Sequence, residues 1–181
     1  MRDPSFDPRH LDVEAFARSG AAIEGQWPIA GLERLRQSLH EPPGAGAVTW
    51  SAAGDRAQSA SSEAPVWLDV AARATVTLQC QRCLGALPTD LVVERRFRFA
   101  RDESAAQALD AEVEDDVLAL TRSLDLHQLI EDELLLALPL VPRHERCPVP
   151  LLAPTEPPAG IERRDNPFDV LQALRKAPTA D

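Results

Sequence analysis

Residues 66–80 read VWLDVAARATVTLQC, and every even position in the run is apolar: Val66, Leu68, Val70, Ala72, Ala74, Val76, Leu78 and Cys80. The odd positions are mostly polar or charged, with Trp67 and Ala71 as exceptions. Successive side chains of a β-strand point to opposite faces, so this period of two predicts a strand with one buried face, bent or interrupted because of its length. Residues 87–100, LPTDLVVERRFRFA, resume the alternation with Leu87, Leu91, Val93, Phe97 and Phe99 on one side. Two such runs joined by a short segment containing Gly85 predict an antiparallel hairpin. Its tip carries Cys80 and Cys83.

Around that hairpin the pattern predicts an α+β fold in a single domain over residues 1–181. HLDVEAFARSG (10–20) allows a short helix closed by Gly20, and AAIEGQW (21–27) a brief strand. PIAGLERLRQSLH (28–40) sets Pro28 at a helix start, with Leu32, Leu35 and Leu39 along one side. VTWSA (48–52) reads as another strand, and the small, polar GDRAQSASSEAP (54–65) as a long loop. Residues 102–116 hold seven acidic residues and no basic one, which reads as a solvated loop with a helical piece around ESAAQALDA. The strongest helix is SLDLHQLIEDELLLALP (123–139), capped by Asp125 and closed by Pro139. Its apolar face packs across the sheet, while Glu131, Asp132 and Glu133 mostly face water, either as a solvated helix face or as a contact surface for a basic partner. The chain then runs through an extended Pro-rich segment at about 142–165. It ends in a short helix at about 167–176, where Phe168, Leu171 and Leu174 need a surface to dock on.

Composition narrows the function. The chain of 181 residues is 44% hydrophobic, enough for a real core, and only 4% aromatic, so aliphatic side chains must fill that core. Its formal net charge is −10, with 29 acidic residues against 19 basic. Such a surface repels polyanions on average, so RNA contact needs a local patch and a basic protein is the easier partner. No apolar stretch reaches the length of a bilayer span, and the charged opening MRDPSFDPRHLD is unlike a secretory signal. Three cysteines cannot all pair within one chain, which points to a reducing cytoplasm.

Cys80 and Cys83 have the spacing that lets two thiolates grip one tetrahedral metal from a tight turn, and His144 and Cys147 in HERC form a second close pair. Together they make a Cys3His set, which zinc accepts in closed structural sites, provided the fold returns the end of the long helix to the hairpin tip. The same spacing also suits partly buried thiols packing a turn. A redox pair fits less well, because low-pKa redox thiols usually exploit a helix N-terminus and these are followed by a turn into a strand. Arg95, Arg96, Arg98 and Arg101 run against the global charge, and strand geometry places Arg96 and Arg98 opposite Phe97 and Phe99. They are candidates for phosphate contact or for pairing with acidic residues on an adjacent strand. No G-x-S-x-G, phosphate-cradling glycine loop or H-E-x-x-H is present.

Four segments in order, IEGQWPIAGLERL, LQCQRCLGAL, LDLHQLIEDELLLALPLVPRHERC and NPFDVLQALRK, resemble the YceD family, the large ribosomal RNA subunit accumulation proteins of bacteria and plastids. The resemblance implies a cytoplasmic protein needed for build-up or processing of large-subunit (23S) ribosomal RNA, with no known catalytic activity. Many relatives carry further cysteines after the long helix, where this chain has His144 and Cys147. The expectation is a non-catalytic factor in ribosome biogenesis that engages a ribosomal protein or a large-subunit assembly factor, with ribosomal RNA contact at the arginines. The rivals are a direct RNA-binding module and a metal-dependent RNA-processing enzyme, which would need carboxylates of the 102–116 segment and the helix to converge.

Overall fold

A computed structural model describes residues 6–40, 46–56, 65–148 and Phe168. The chain divides into Met1–Cys147 and Pro148–Asp181. The Pro-rich stretch beyond Pro148 and, apart from Phe168, the short helix expected at 167–176 lie outside the described residues.

The hairpin forms as the alternation requires. Strand β3 (Val66–Gln79) pairs antiparallel with β4 (Ala86–Ala100) from Val66↔Phe99 to Gln79↔Ala86. β3 runs unbroken for 14 residues where a bend or interruption was expected, because β4 pairs with it along its whole length. Leu68 faces Phe97 and Ala74 faces Leu91, and all four are buried. Burying each large side chain contributes roughly 1.5–3 kcal/mol. With β1 (Ala22–Pro28) and β2 (Ala47–Arg56), the hairpin builds an antiparallel meander. A fifth strand, β5 (Asp116–Ala119), adds in parallel to β4, so the sheet is mixed, in the order β1-β2-β3-β4-β5.

One face of the sheet is covered. Helix α1 (Val13–Ser19) is capped by Asp12, whose side chain accepts from the Ala15 N–H, and ends at Gly20 with φ +61°. It lies so close to β2 that a Cβ on Gly54 would stand 2.7 Å from the Ala17 backbone. The segment expected as one helix over 28–40 divides into a 3-10 turn (Ile29–Gly31) and a short helix α2 (Glu33–Gln37), because Leu32 takes a non-helical conformation at φ −97°, ψ 87°. The acidic segment contains helix α3 (Glu103–Asp110), capped by Asp102, before it enters β5. Helix α4 (Leu126–Leu136) begins at Asp125, which accepts from the N–H groups of His127 and Gln128, and buries Leu126, Ile130 and Leu134.

The acidic run of α4 does not face water as the sequence pattern suggests. Glu131 is 6% exposed and Glu133 8%. Leu32 offers α2 no side-chain cap, so Glu131 supplies one from α4: it accepts from the N–H groups of Arg34 at 2.8 Å and Leu35 at 3.2 Å. The Arg34 guanidinium pairs with Glu131 and with Asp132, which stays half-exposed. Glu133 accepts from Arg95 of β4 at 3.0 Å. A buried carboxylate persists when hydrogen bonds and an opposite charge replace its water, and both conditions hold here.

Candidate metal centre

The hairpin tip is a tight turn in which Leu84 N–H donates to the Cys80 carbonyl at 2.8 Å and Cys80 N–H to the Gly85 carbonyl at 2.9 Å. Closing it puts Leu84 at φ +59°, a conformation that L-residues rarely adopt. The second half of the site arrives from α4, which runs back along β4: Glu133 meets Arg95 midway, and past the helix the Pro142 carbonyl accepts from Gln81 N–H at 2.8 Å. That strap sets His144 and Cys147 against Cys80 and Cys83.

The four side chains predicted as ligands do come together, each offering a donor atom within 4.8 Å of the others. The Cys83 sulfur lies 3.5 Å from Nδ1 of His144. Zinc bonds of about 2.3 Å to sulfur and 2.0 Å to nitrogen, at a tetrahedral angle, separate S and N by about 3.5 Å. The donor set therefore fits zinc in type, number and spacing. The histidine is also oriented as a ligand. Its Nε2 lies 3.1 Å from the Ala86 carbonyl, which only accepts, so a neutral imidazole with its proton on Nε2 satisfies that carbonyl and turns its Nδ1 lone pair to the sulfurs.

Electrostatics prepare one thiol. Burial works against ionisation of Cys80, but backbone N–H groups of Cys83, His144 and Arg82 directed at its sulfur prevail and hold it down to about 5 from an ordinary 9.0. Burial, with Cys83 and Cys80 alongside, pushes Cys147 up to about 11. A cation entering the centre would displace the Cys147 proton. Cys80 is fully buried, so an exchanging thiol has no access to that sulfur, while Cys83 and Cys147 are partly accessible.

The arginines lie elsewhere. Arg96 and Arg98 project from the open face of the sheet over the Trp67 ring, 4.7 and 5.6 Å from its centroid. Arg96 pairs with Asp55 at 2.9 Å and Asp69 at 3.6 Å, and Arg98 with Asp115 at 3.8 Å. Their charge is offset within the sheet. Carboxylates of the acidic segment and of α4 do converge, but on a guanidinium: Arg95 bridges Glu133 and Asp116. His127 is buried against Trp27, with ring centroids 4.7 Å apart. Sequence reasoning missed Arg34 and Arg95 as partners of the buried glutamates. The available signal was Arg95 itself, which interrupts the apolar positions of β4.

The model of the family described as large ribosomal RNA subunit accumulation protein YceD matches residues 68–175, which include both halves of the thiol centre. The chain belongs to the YceD family. A YceD protein of Haemophilus influenzae, also named large ribosomal RNA subunit accumulation protein, is 30% identical over 173 residues, covering 93% of this chain and 96% of its own length. No solved structure matches. Among the described residues, no YceD-family helix of this chain is long and apolar enough to cross a membrane.

Proposed function

We propose that the protein supports accumulation of large-subunit ribosomal RNA as a non-catalytic binding factor in the cytoplasm, with Cys80, Cys83, His144 and Cys147 holding one structural zinc. Family membership over residues 68–175 carries the ribosomal part of this reading. The metal acts as a cross-link, fastening the strap after α4 to the hairpin tip. A net charge of −10 favours encounter with a basic ribosomal protein or assembly factor. Against the nuclease reading, Glu133 and Asp116 are engaged by Arg95, and among the described residues the Cys3His set is the grouping suited to a metal.

The test is depletion of the chain from its own cells, with the ratio of large- to small-subunit ribosomal RNA as the readout. The ratio is expected to fall, to recover with the wild-type chain, and to stay low with a Cys83→Ser/Cys147→Ser variant. An unchanged ratio on depletion contradicts the proposal.

A further inference from the structure

We infer that the thiol-bearing tip is a contact surface for the phosphodiester backbone of RNA, with Arg82, Arg143 and Arg146 as its cationic groups. The inference rests on the ribosomal RNA reading above and assigns its RNA contact to a place where the sequence pattern did not put it.

Every described arginine of the sheet, of α1 and of α2 is ion-paired with a carboxylate. Arg82, Arg143 and Arg146 are exposed and have no carboxylate partner among the described residues. Arg9 and Arg122 also have no carboxylate partner among the described residues, on segments joined by the Leu11–Leu124 bridge, but the tip puts three such cations on one short stretch of surface. Arg82 lies between Gln81, bonded to Pro142, and Cys83, in contact with His144; Arg143 lies between those two partners. The two guanidiniums thus rise from neighbouring backbone segments held together on both sides. Arg146 directly precedes Cys147, and Glu145 is the carboxylate in the strap.

The surroundings suit a nucleic-acid strand. A cleft of about 330 Å³ next to the tip is lined by Ser38, His40, Gln79, Gln81 and Pro142, which offer donors and acceptors to a base edge. Leu84, Leu140 and Val141 are 62%, 102% and 61% exposed, giving apolar surface for ribose or base packing. Arginine suits this task because its planar fork matches phosphate oxygens and its charge does not titrate. The arginines sit on residues adjacent to the thiol and imidazole ligands, so their positions are fixed by the same contacts that build the centre.

The test is fluorescence anisotropy of a labelled large-subunit ribosomal RNA fragment, titrated with the full chain purified under reducing conditions, across a salt series. The wild-type chain is expected to bind. An Arg82→Gln/Arg143→Gln/Arg146→Gln variant should bind about tenfold or more weakly at low salt, with a salt slope shallower by about 2, as losing three single-strand phosphate contacts requires. An Arg96→Gln/Arg98→Gln variant should match the wild type. Unchanged binding in the triple variant, or loss in the double variant, overturns the assignment. So does equal competition by poly-glutamate and RNA, which would make the tip a surface for acidic proteins. A wild-type chain that binds no RNA also overturns it, yet leaves the cellular ribosomal RNA ratio free to support the proposed function.

Discussion

Leu84 sits at φ +59° on the hairpin tip with its side chain largely in water, so it has the steric cost of a left-handed residue without a packing return. That conformation costs about 1–2 kcal/mol for an L-residue, whereas glycine adopts it freely but loses about 0.4–1 kcal/mol through the unfolded chain. Leu84→Gly should therefore raise stability by about 0.5 kcal/mol, and the β-branched Leu84→Val should lower it by about 1 kcal/mol. Urea unfolding midpoints of the two variants check both signs. His127 makes a second expectation at this scale. Burial, then the charge of Arg9, hold its pKa below 6.5 in spite of Asp125 and Glu131. Below pH 6.5 the unfolded chain binds the proton more readily, so stability present at neutral pH is lost as pH falls through 6.5 towards the folded value. His127→Gln should flatten the dependence of the unfolding midpoint on pH between about 7.5 and 5; an unaltered profile would show that His127 does not titrate on unfolding. At this scale the sequence exposed the four donor residues but not their approach. Cys80 and Cys83 are local in the chain, and so are His144 and Cys147, whereas the distance between the pairs is set by α4 and by the Glu133–Arg95 contact that no local pattern encodes.

Among the elements, α1 on β2 and α2 on α4 decide how the covered face of the sheet is closed. A methyl group on Gly54 would first meet the Ala17 backbone and the Phe16 ring, both on α1, and the Ala17 backbone cannot retreat without moving that helix. Gly54→Ala should destabilise by about 2 kcal/mol through overpacking. Glu131 caps α2 from another helix, so Glu131→Ala strands two N–H groups and leaves the Arg34 guanidinium to Asp132, and should cost about 2 kcal/mol, with Glu131→Gln costing less because one oxygen can still accept. Faster amide exchange at Arg34 and Leu35 in the alanine variant would locate the loss in the cap; unchanged exchange there would refute that role. Period-two alternation was enough to read β3 and β4, and Asp125 with Pro139 enough to bracket α4. β5 escaped because four residues at the end of an acidic segment have no period of their own and become a strand only by registering on β4. α2 escaped in part because its N-terminal acceptor comes from residue 131, far away in sequence.

For the whole molecule, two features of opposite sign matter: a net charge of −10 over the chain and a tip whose exposed arginines have no carboxylate partner among the described residues. The thiol centre connects them, because the strap carrying Arg143 and Arg146 is tied to the tip, among the described residues, by hydrogen bonds to Gln81, Cys80, Cys83 and Ala86. If the four side chains hold the proposed zinc, removing it with a chelator should loosen residues 80–85 and 140–147 in hydrogen exchange while leaving the β3–β4 ladder protected, since that ladder has its own core. Native mass spectrometry of the full chain, purified under reducing conditions from zinc-sufficient cells, tests the proposed zinc directly. The expected spectrum shows one zinc per folded chain, absent from Cys83→Ser and Cys147→Ser. A wild-type chain that is folded and carries no metal would contradict a structural zinc at these four residues.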